Sequence, residues 1–254
     1  MDTSQPTSLV PAAEASDLTE QAYASIRERL LRGQLRMGTA LSARRLASEL
    51  GMSHLPVSQA LRRLENEGLI ESRPRAGSRV RIPTETDIRE RYIVREALES
   101  QAARLFAARA TAAQRAELRR MGEHLDLLFN RLAAGDTDPE FLFAVHSYHF
   151  QLHMRIAEFA GCEALRVLIE RNQVLIMNWF YDVSANRRAL PPRFHRELVE
   201  VLVGGDPVAA DNAMREHVRY GLEDIVRNLQ IQAPREWRAR RKGPPVCSRS
   251  PGKF

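Results

Sequence analysis

Seven histidines are spread through the 254 residues, and the spacing of four of them allows joint chemistry. His149 and His153 stand four apart in a segment with helical periodicity, so both imidazoles leave one helical face and can chelate a single ion. His195 and His217 fall in two later helical segments, and three helices can therefore bring imidazoles to one point inside a bundle. His124 and His146 read as ordinary core or surface groups. A second constellation lies near the N-terminus, in the short segment 53–67. Once Val57, Ala60, Leu61 and Leu64 are assigned to a core, His54, Ser58, Gln59 and Arg62 remain outside. They are donors and acceptors suited to phosphates and base edges.

The charge distribution separates these two constellations. Residues 17–82 carry twelve arginines against seven acids, a net +5, whereas residues 83–231 carry a net −3. The segment 232–254 is again basic, at +6. A basic head ahead of a slightly acidic body describes a nucleic-acid-binding module joined to something that does not bind nucleic acid. No run reaches the roughly 18 apolar residues that a membrane span requires. The first residues lack the basic and apolar regions of a signal peptide. Two cysteines without metal-type spacing, Cys162 and Cys247, point to a reducing cytoplasm.

The elements that must hold these residues are mostly helices. Residues 1–16 are aperiodic and rich in Ser, Pro and Ala, which predicts a disordered tail. A helix over 17–32 is expected to start at Asp17, with Glu20 completing a capping box. Two shorter helices follow, Ser42–Leu50 and Ser53–Glu67, with Ser42 and Ser53 as their N-caps and a glycine stopping each. Leu69–Ser72 and Ser78–Ile82 then read as a hairpin around Pro74–Gly77. Three helices and a hairpin make a winged helix-turn-helix. Beyond Pro83 and Thr84, six helices are expected over 86–110, 112–134, 138–160, 162–182, 191–204 and 206–229. The fold class is mainly α: a winged helix-turn-helix over 17–82, an all-α antiparallel bundle over 85–231, and a basic disordered tail over 232–254.

The run from Leu41 to Leu69 resembles the GntR family of bacterial transcription regulators. Leu41, Ser42, Arg44, Leu46, Ala47, Leu50, Gly51, Ser53, Pro56, Val57, Ala60, Leu61, Leu64, Gly68 and Leu69 occupy the family's pattern. Arg75-Ala76-Gly77-Ser78-Arg79-Val80 resembles its wing. The resemblance implies DNA contact by Arg44, His54, Ser58, Gln59 and Arg62, with Arg75 and Gly77 at the wing. His54 and Ser58 replace two customary arginines, so the family's operator sequence does not carry over. Arg29, Arg32 and Arg63 read as surface charge or backbone contacts.

The body carries its own resemblance, to the FCD effector domain of the FadR subfamily. The runs His149–Gly161 and His195–Asp206, followed by Met214 and His217, match that domain's histidine pattern. Six helices suggest the smaller VanR-like variant. The resemblance implies a homodimer with His149, His153, His195 and His217 as metal ligands, a carboxylate effector completing the shell, and Arg95 facing the cavity. His149 replaces the usual aspartate, and four neutral imidazoles favour a divalent ion such as Zn²⁺ or Ni²⁺ over Mg²⁺ or Mn²⁺. The same histidines could also hold an anion directly. Arg95 could equally pair with Glu99 at i,i+4, and Asn172 or Tyr181 could hydrogen-bond the effector. Together these features predict a ligand-responsive regulator of operator DNA rather than an enzyme. Two other readings remain: a constitutive DNA-binding protein whose bundle only dimerises, and a histidine-site metalloenzyme.

Overall fold

The structure is a computed structural model and describes residues 12–73, 77–136, 138–172 and 190–232. The N-terminal part contains α1 (Ala12–Leu31), β1 (Ala40–Leu41), α2 (Ala43–Leu50), α3 (His54–Asn66), β2 (Ile70–Arg73) and β3 (Gly77–Val80). The C-terminal part contains α4 (Glu85–Arg109), α5 (Ala112–Ala133), α6 (Pro139–Phe159), a helix α7 over 163–172, α8 (Phe194–Val203) and α9 (Pro207–Gln232). The winged helix-turn-helix followed by helices is the architecture expected. None of the described helices is long and apolar enough to cross a membrane.

The first helix starts earlier than its sequence suggests. Asp17 lies inside α1, where its carboxylate accepts from Gln21 Nε2 at 3.0 Å instead of capping. The alanine-rich residues just before it extend the helix, so 12–16 do not belong to a disordered tail. Residues 1–11 and 233–254, the wing tip 74–76 with Arg75, and 173–189 with Tyr181 lie outside the described residues. Ser42 caps α2 by accepting from the Arg45 N–H at 3.3 Å, whereas Ser53 holds the cap position of α3 without a side-chain bond.

Gly51 makes the turn of the helix-turn-helix. Its φ of 64° suits glycine, and its N–H closes α2 on the Ala47 and Ser48 carbonyls. Ile26, Leu30, Val57, Ala60 and Leu64 are fully buried between α1 and α3, each large side chain worth about 1.5–3 kcal/mol. The sheet has the order β1-β3-β2, antiparallel throughout, with Ile70 opposite Val80 and Ala40 opposite Arg79. A two-residue strand such as β1 is too short to leave an alternating pattern in the sequence.

The bundle helices carry strong start signals. Thr84–Asp87 and Thr111–Gln114 are complete capping boxes, and Asp138 with Pro139 starts α6. Asp206 accepts from the Val208 and Ala209 N–H groups at the start of α9. Helix α4 packs along α9, and α5 lies between α6 and α8. Arg115 of α5 donates to the Ala107, Ala110 and Val203 carbonyls at 2.7–3.1 Å. It therefore ties the C-terminal ends of α4 and α8 together. Among the described residues, two ion pairs join the two parts of the chain: Arg81 reaches Asp87 of α4 at 2.8 Å, and Arg32 of α1 reaches Glu140 of α6 at 2.8 Å and covers the Phe143 ring at 4.5 Å.

Candidate functional site

Helix α6 presents His149 and His153 one turn apart, and α9 brings His217 to meet them. The three Nε2 atoms form a nearly equilateral triangle, with separations of 3.0, 3.2 and 3.4 Å. A tetrahedral ion with bonds of about 2.0–2.1 Å keeps its nitrogens roughly 3.3–3.4 Å apart, so one ion fits three of its bonds here. His195 of α8 stands beside this triad, with its ring 4.9 Å from that of His149 and 5.6 Å from that of His217. The group whose ligand atoms converge comprises His149, His153 and His217; His195 is adjacent rather than part of it. His149, His195, His217 and Arg95 border a cavity of about 20 Å³, the room of a single ion or water.

Two carboxylates set the direction of two rings. Glu99 Oε2 lies 2.7 Å from His153 Nδ1, and Asp126 Oδ1 lies 2.9 Å from His195 Nδ1. A carboxylate on Nδ1 places the proton there and leaves Nε2 as the lone-pair atom, the usual support of a metal-binding histidine. Asp126 has a second task. Arg193, the residue before α8, has a φ of 66° and offers no side-chain cap. Asp126, on α5, instead accepts the His195 and Arg196 N–H groups at 3.0 Å each. One side chain thus caps α8 and orients its histidine.

Burial pushes His149 and His217 well below the usual histidine pKa, and the neighbouring imidazoles push them further. Both are neutral at pH 7, the state that can ligate. Arg95 pairs with Glu99 and also lines the cavity. Its Nε donates to Glu99 Oε1 at 2.8 Å, while Nη2 lies 3.3 Å from His153 Nε2 at the cavity wall. Burial would raise the Glu99 carboxyl, but Arg95 and His153 outweigh it and hold the pKa down to about 2. Asn172 is buried and donates to the Arg91 carbonyl at 3.3 Å, away from the residues lining the cavity. His124 packs edge-on to Tyr148 and His146 to Phe129, as ordinary packing groups do.

The α3 surface divides the arginines of the N-terminal part. Arg29 and Arg45 both pair with Glu49 at 2.8 Å, and Arg63 lies 3.6 Å over the Tyr23 ring and pairs with Glu20. Arg44 and Arg62 are exposed and form no ion pair among the described residues. His54 is hydrogen-bonded to Ser58 at 3.2 Å, and Gln59 accepts from Thr19 at 2.8 Å. Gly77 is exposed at the start of β3 with a φ of 75°. Sequence reasoning missed Asp126, Glu99 as a support for His153, and Leu55, which is 59 % exposed on α3. Only the exposed position of Leu55 was available from the helical period; the other two depend on tertiary contacts.

Comparison with known proteins places these features in context. Residues 18–80 match the family described as bacterial regulatory proteins, gntR family, and residues 90–220 match the FCD domain. The chain is 34% identical over 191 residues to a probable D-xylose utilization operon transcriptional repressor of Paenarthrobacter nicotinovorans, covering 74% of this chain and 80% of that protein. It is 25% identical to the HTH-type transcriptional repressor RspR of Escherichia coli, covering 87% of this chain and 93% of the relative. In fold, it superposes on a putative transcriptional regulator GntR from Rhodococcus sp. RHA1 with a TM-score of 0.68 and 21% identity, covering 83% of this chain and 98% of the other.

Proposed function

The chain belongs to the GntR family of bacterial regulatory proteins and carries an FCD domain, and we propose that it is a dimeric, ligand-gated repressor. The family makes it a transcription regulator rather than an enzyme. In this reading, residues 17–82 hold the operator and residues 85–231 dimerise and bind a small carboxylate metabolite. A divalent ion, Zn²⁺ or Ni²⁺, held by His149, His153 and His217 with His195 alongside, supplies a Lewis-acidic anchor for that carboxylate. Arg95 adds a fixed positive charge at the same wall.

The observation that carries this reading is the convergence of three Nε2 atoms, with carboxylates behind His153 and His195. A metal-free version, with Arg95 and the histidines holding the anion themselves, is favoured by one distance: Arg95 Nη2 lies 3.3 Å from His153 Nε2. Arg44, His54, Ser58, Gln59 and Arg62, with the wing at Arg75 and Gly77, are the proposed DNA contacts. The exposed Ile93 and Val94 on α4 offer an apolar face for a second copy.

Coupling follows from size and connection. A carboxylate metabolite exceeds a cavity of about 20 Å³, so in this reading its binding displaces the cavity walls, of which His149 on α6 is one. Helix α6 also carries Glu140 and Phe143, the residues that hold Arg32 of α1. Displacing α6 therefore acts on the DNA-binding part and shifts the population of head arrangements.

Metal analysis of protein purified without chelator, joined to a thermal-shift screen of organic and sugar acids, tests the pocket. About one Zn²⁺ or Ni²⁺ per chain and a raised Tm with one class of acid are expected, both lost in His153→Ala. Absence of metal together with no acid able to raise the Tm would overturn the proposal. An acid response without metal would select the Arg95–histidine version.

A further inference from the structure

Among the described residues of the DNA-binding part, Leu55 is the one large hydrophobic side chain that is exposed, at 59 %. Its place on α3 is specific. The buried side of that helix is Pro56, Val57, Ala60, Leu61 and Leu64. Residues at i, i+3, i+4 and i+7 share a helical face, so Leu55, Ser58, Gln59 and Arg62 form the stripe opposite the core. Leu55 is also the second residue of α3, and the first turn of a recognition helix is the part that reaches base edges.

The other members of the stripe are polar and partly engaged. Ser58 is bonded to His54 and Gln59 to Thr19, while Arg62 stands two turns further along the helix. Leu55 has no donor or acceptor to offer. Set against an amino group or a carbonyl oxygen of a base, it would strip water from that group without replacing the hydrogen bond. The major groove displays one apolar group, the C5-methyl of thymine. A leucine in this position therefore selects for a methyl and against every other major-groove edge.

We propose that Leu55 is a specificity-determining residue that reads a thymine methyl in each operator half-site. This rests on the DNA-binding reading and sharpens it, because it assigns a base preference to one side chain. Burying one methyl is worth about 0.8 kcal/mol, or roughly a fourfold change in affinity.

The test starts with operators selected from random duplex DNA by the full-length protein. Each selected thymine is then replaced by deoxyuridine, which removes the methyl and nothing else. Affinities are compared for the wild type and for Leu55→Ala, whose exposed position leaves Tm unchanged. One thymine per half-site is expected to show a roughly fourfold loss with the wild type and none with Leu55→Ala. Placing 5-methylcytosine there should bind the wild type better than cytosine does, again only with Leu55 present. Uracil tolerated at every position, or a methyl effect identical in Leu55→Ala, would overturn the assignment. A wild type that selects no sequence at all would instead refute the DNA-binding reading on which it rests.

Discussion

Glu99 ties Arg95 and His153 of the site together. It binds Arg95 on one oxygen and stands 2.7 Å from His153 Nδ1 on the other, with all three groups buried. Glu99→Gln leaves the Arg95 charge uncompensated, and breaking a buried pair in this way costs about 3–5 kcal/mol. A marked fall in Tm is expected, with weakened metal binding. The carboxyl is depressed to about 2 in the folded protein, so its stabilisation is complete above the ordinary carboxylate value near 4.5. It is lost as pH falls from there toward 2. Thermal melts at pH 6 and pH 3 should show a drop in the wild type that is smaller in Glu99→Gln; equal drops would contradict the assignment. The residue scale was also where sequence reading was least complete. The histidines declared themselves by type and spacing. Asp126, 69 residues from His195, had no local signal that it would cap α8 and orient that ring.

Helices were legible because the signals that start and stop them are local. Thr84, Thr111, Asp138 and Asp206 sit where capping chemistry predicts, and Gly51 closes α2. The early start of α1 shows the limit of such signals: Asp17 looks like a cap, but helix-favouring alanines precede it. Contact between helices left no equivalent trace. Gly122 of α5 is an example, since a Cβ there would lie 3.0 Å from Val199 Cγ2 and 3.4 Å from the His195 carbonyl oxygen. Its lack of a side chain lets α8 approach and sets the depth of His195. Gly122→Ala is expected to lower stability by about 1–2 kcal/mol, overpacking being partly offset by the better helix propensity of alanine. It should also reduce metal affinity, and Val199→Ala in the same chain should restore both. Chemical denaturation and metal titration check this. A Gly122→Ala protein with unchanged metal affinity would show that α8 is not positioned by this contact.

At the scale of the whole molecule, the winged helix-turn-helix and the helical bundle are joined by a short linker, by the Arg81–Asp87 pair that spans it, and by the more distant Arg32–Glu140 pair. Such an exposed pair contributes little stability, so its loss should leave Tm nearly unchanged. Its effect should appear instead in communication. Arg32→Ala is expected to bind operator and acid about as well as the wild type, while operator affinity responds less to the acid. The basic N-terminal part and the histidine pattern of the bundle could be read from the sequence, but this connection could not, because it links residues 108 positions apart. The most direct test of ligand-gated repression is operator affinity, measured at fixed salt with and without the acid that raises Tm, for the wild type and His153→Ala. At least a fivefold change is expected for the wild type, the lower end of ordinary allosteric coupling, and none for His153→Ala. An operator affinity unmoved by the acid in the wild type, or moved equally in both proteins, would contradict it.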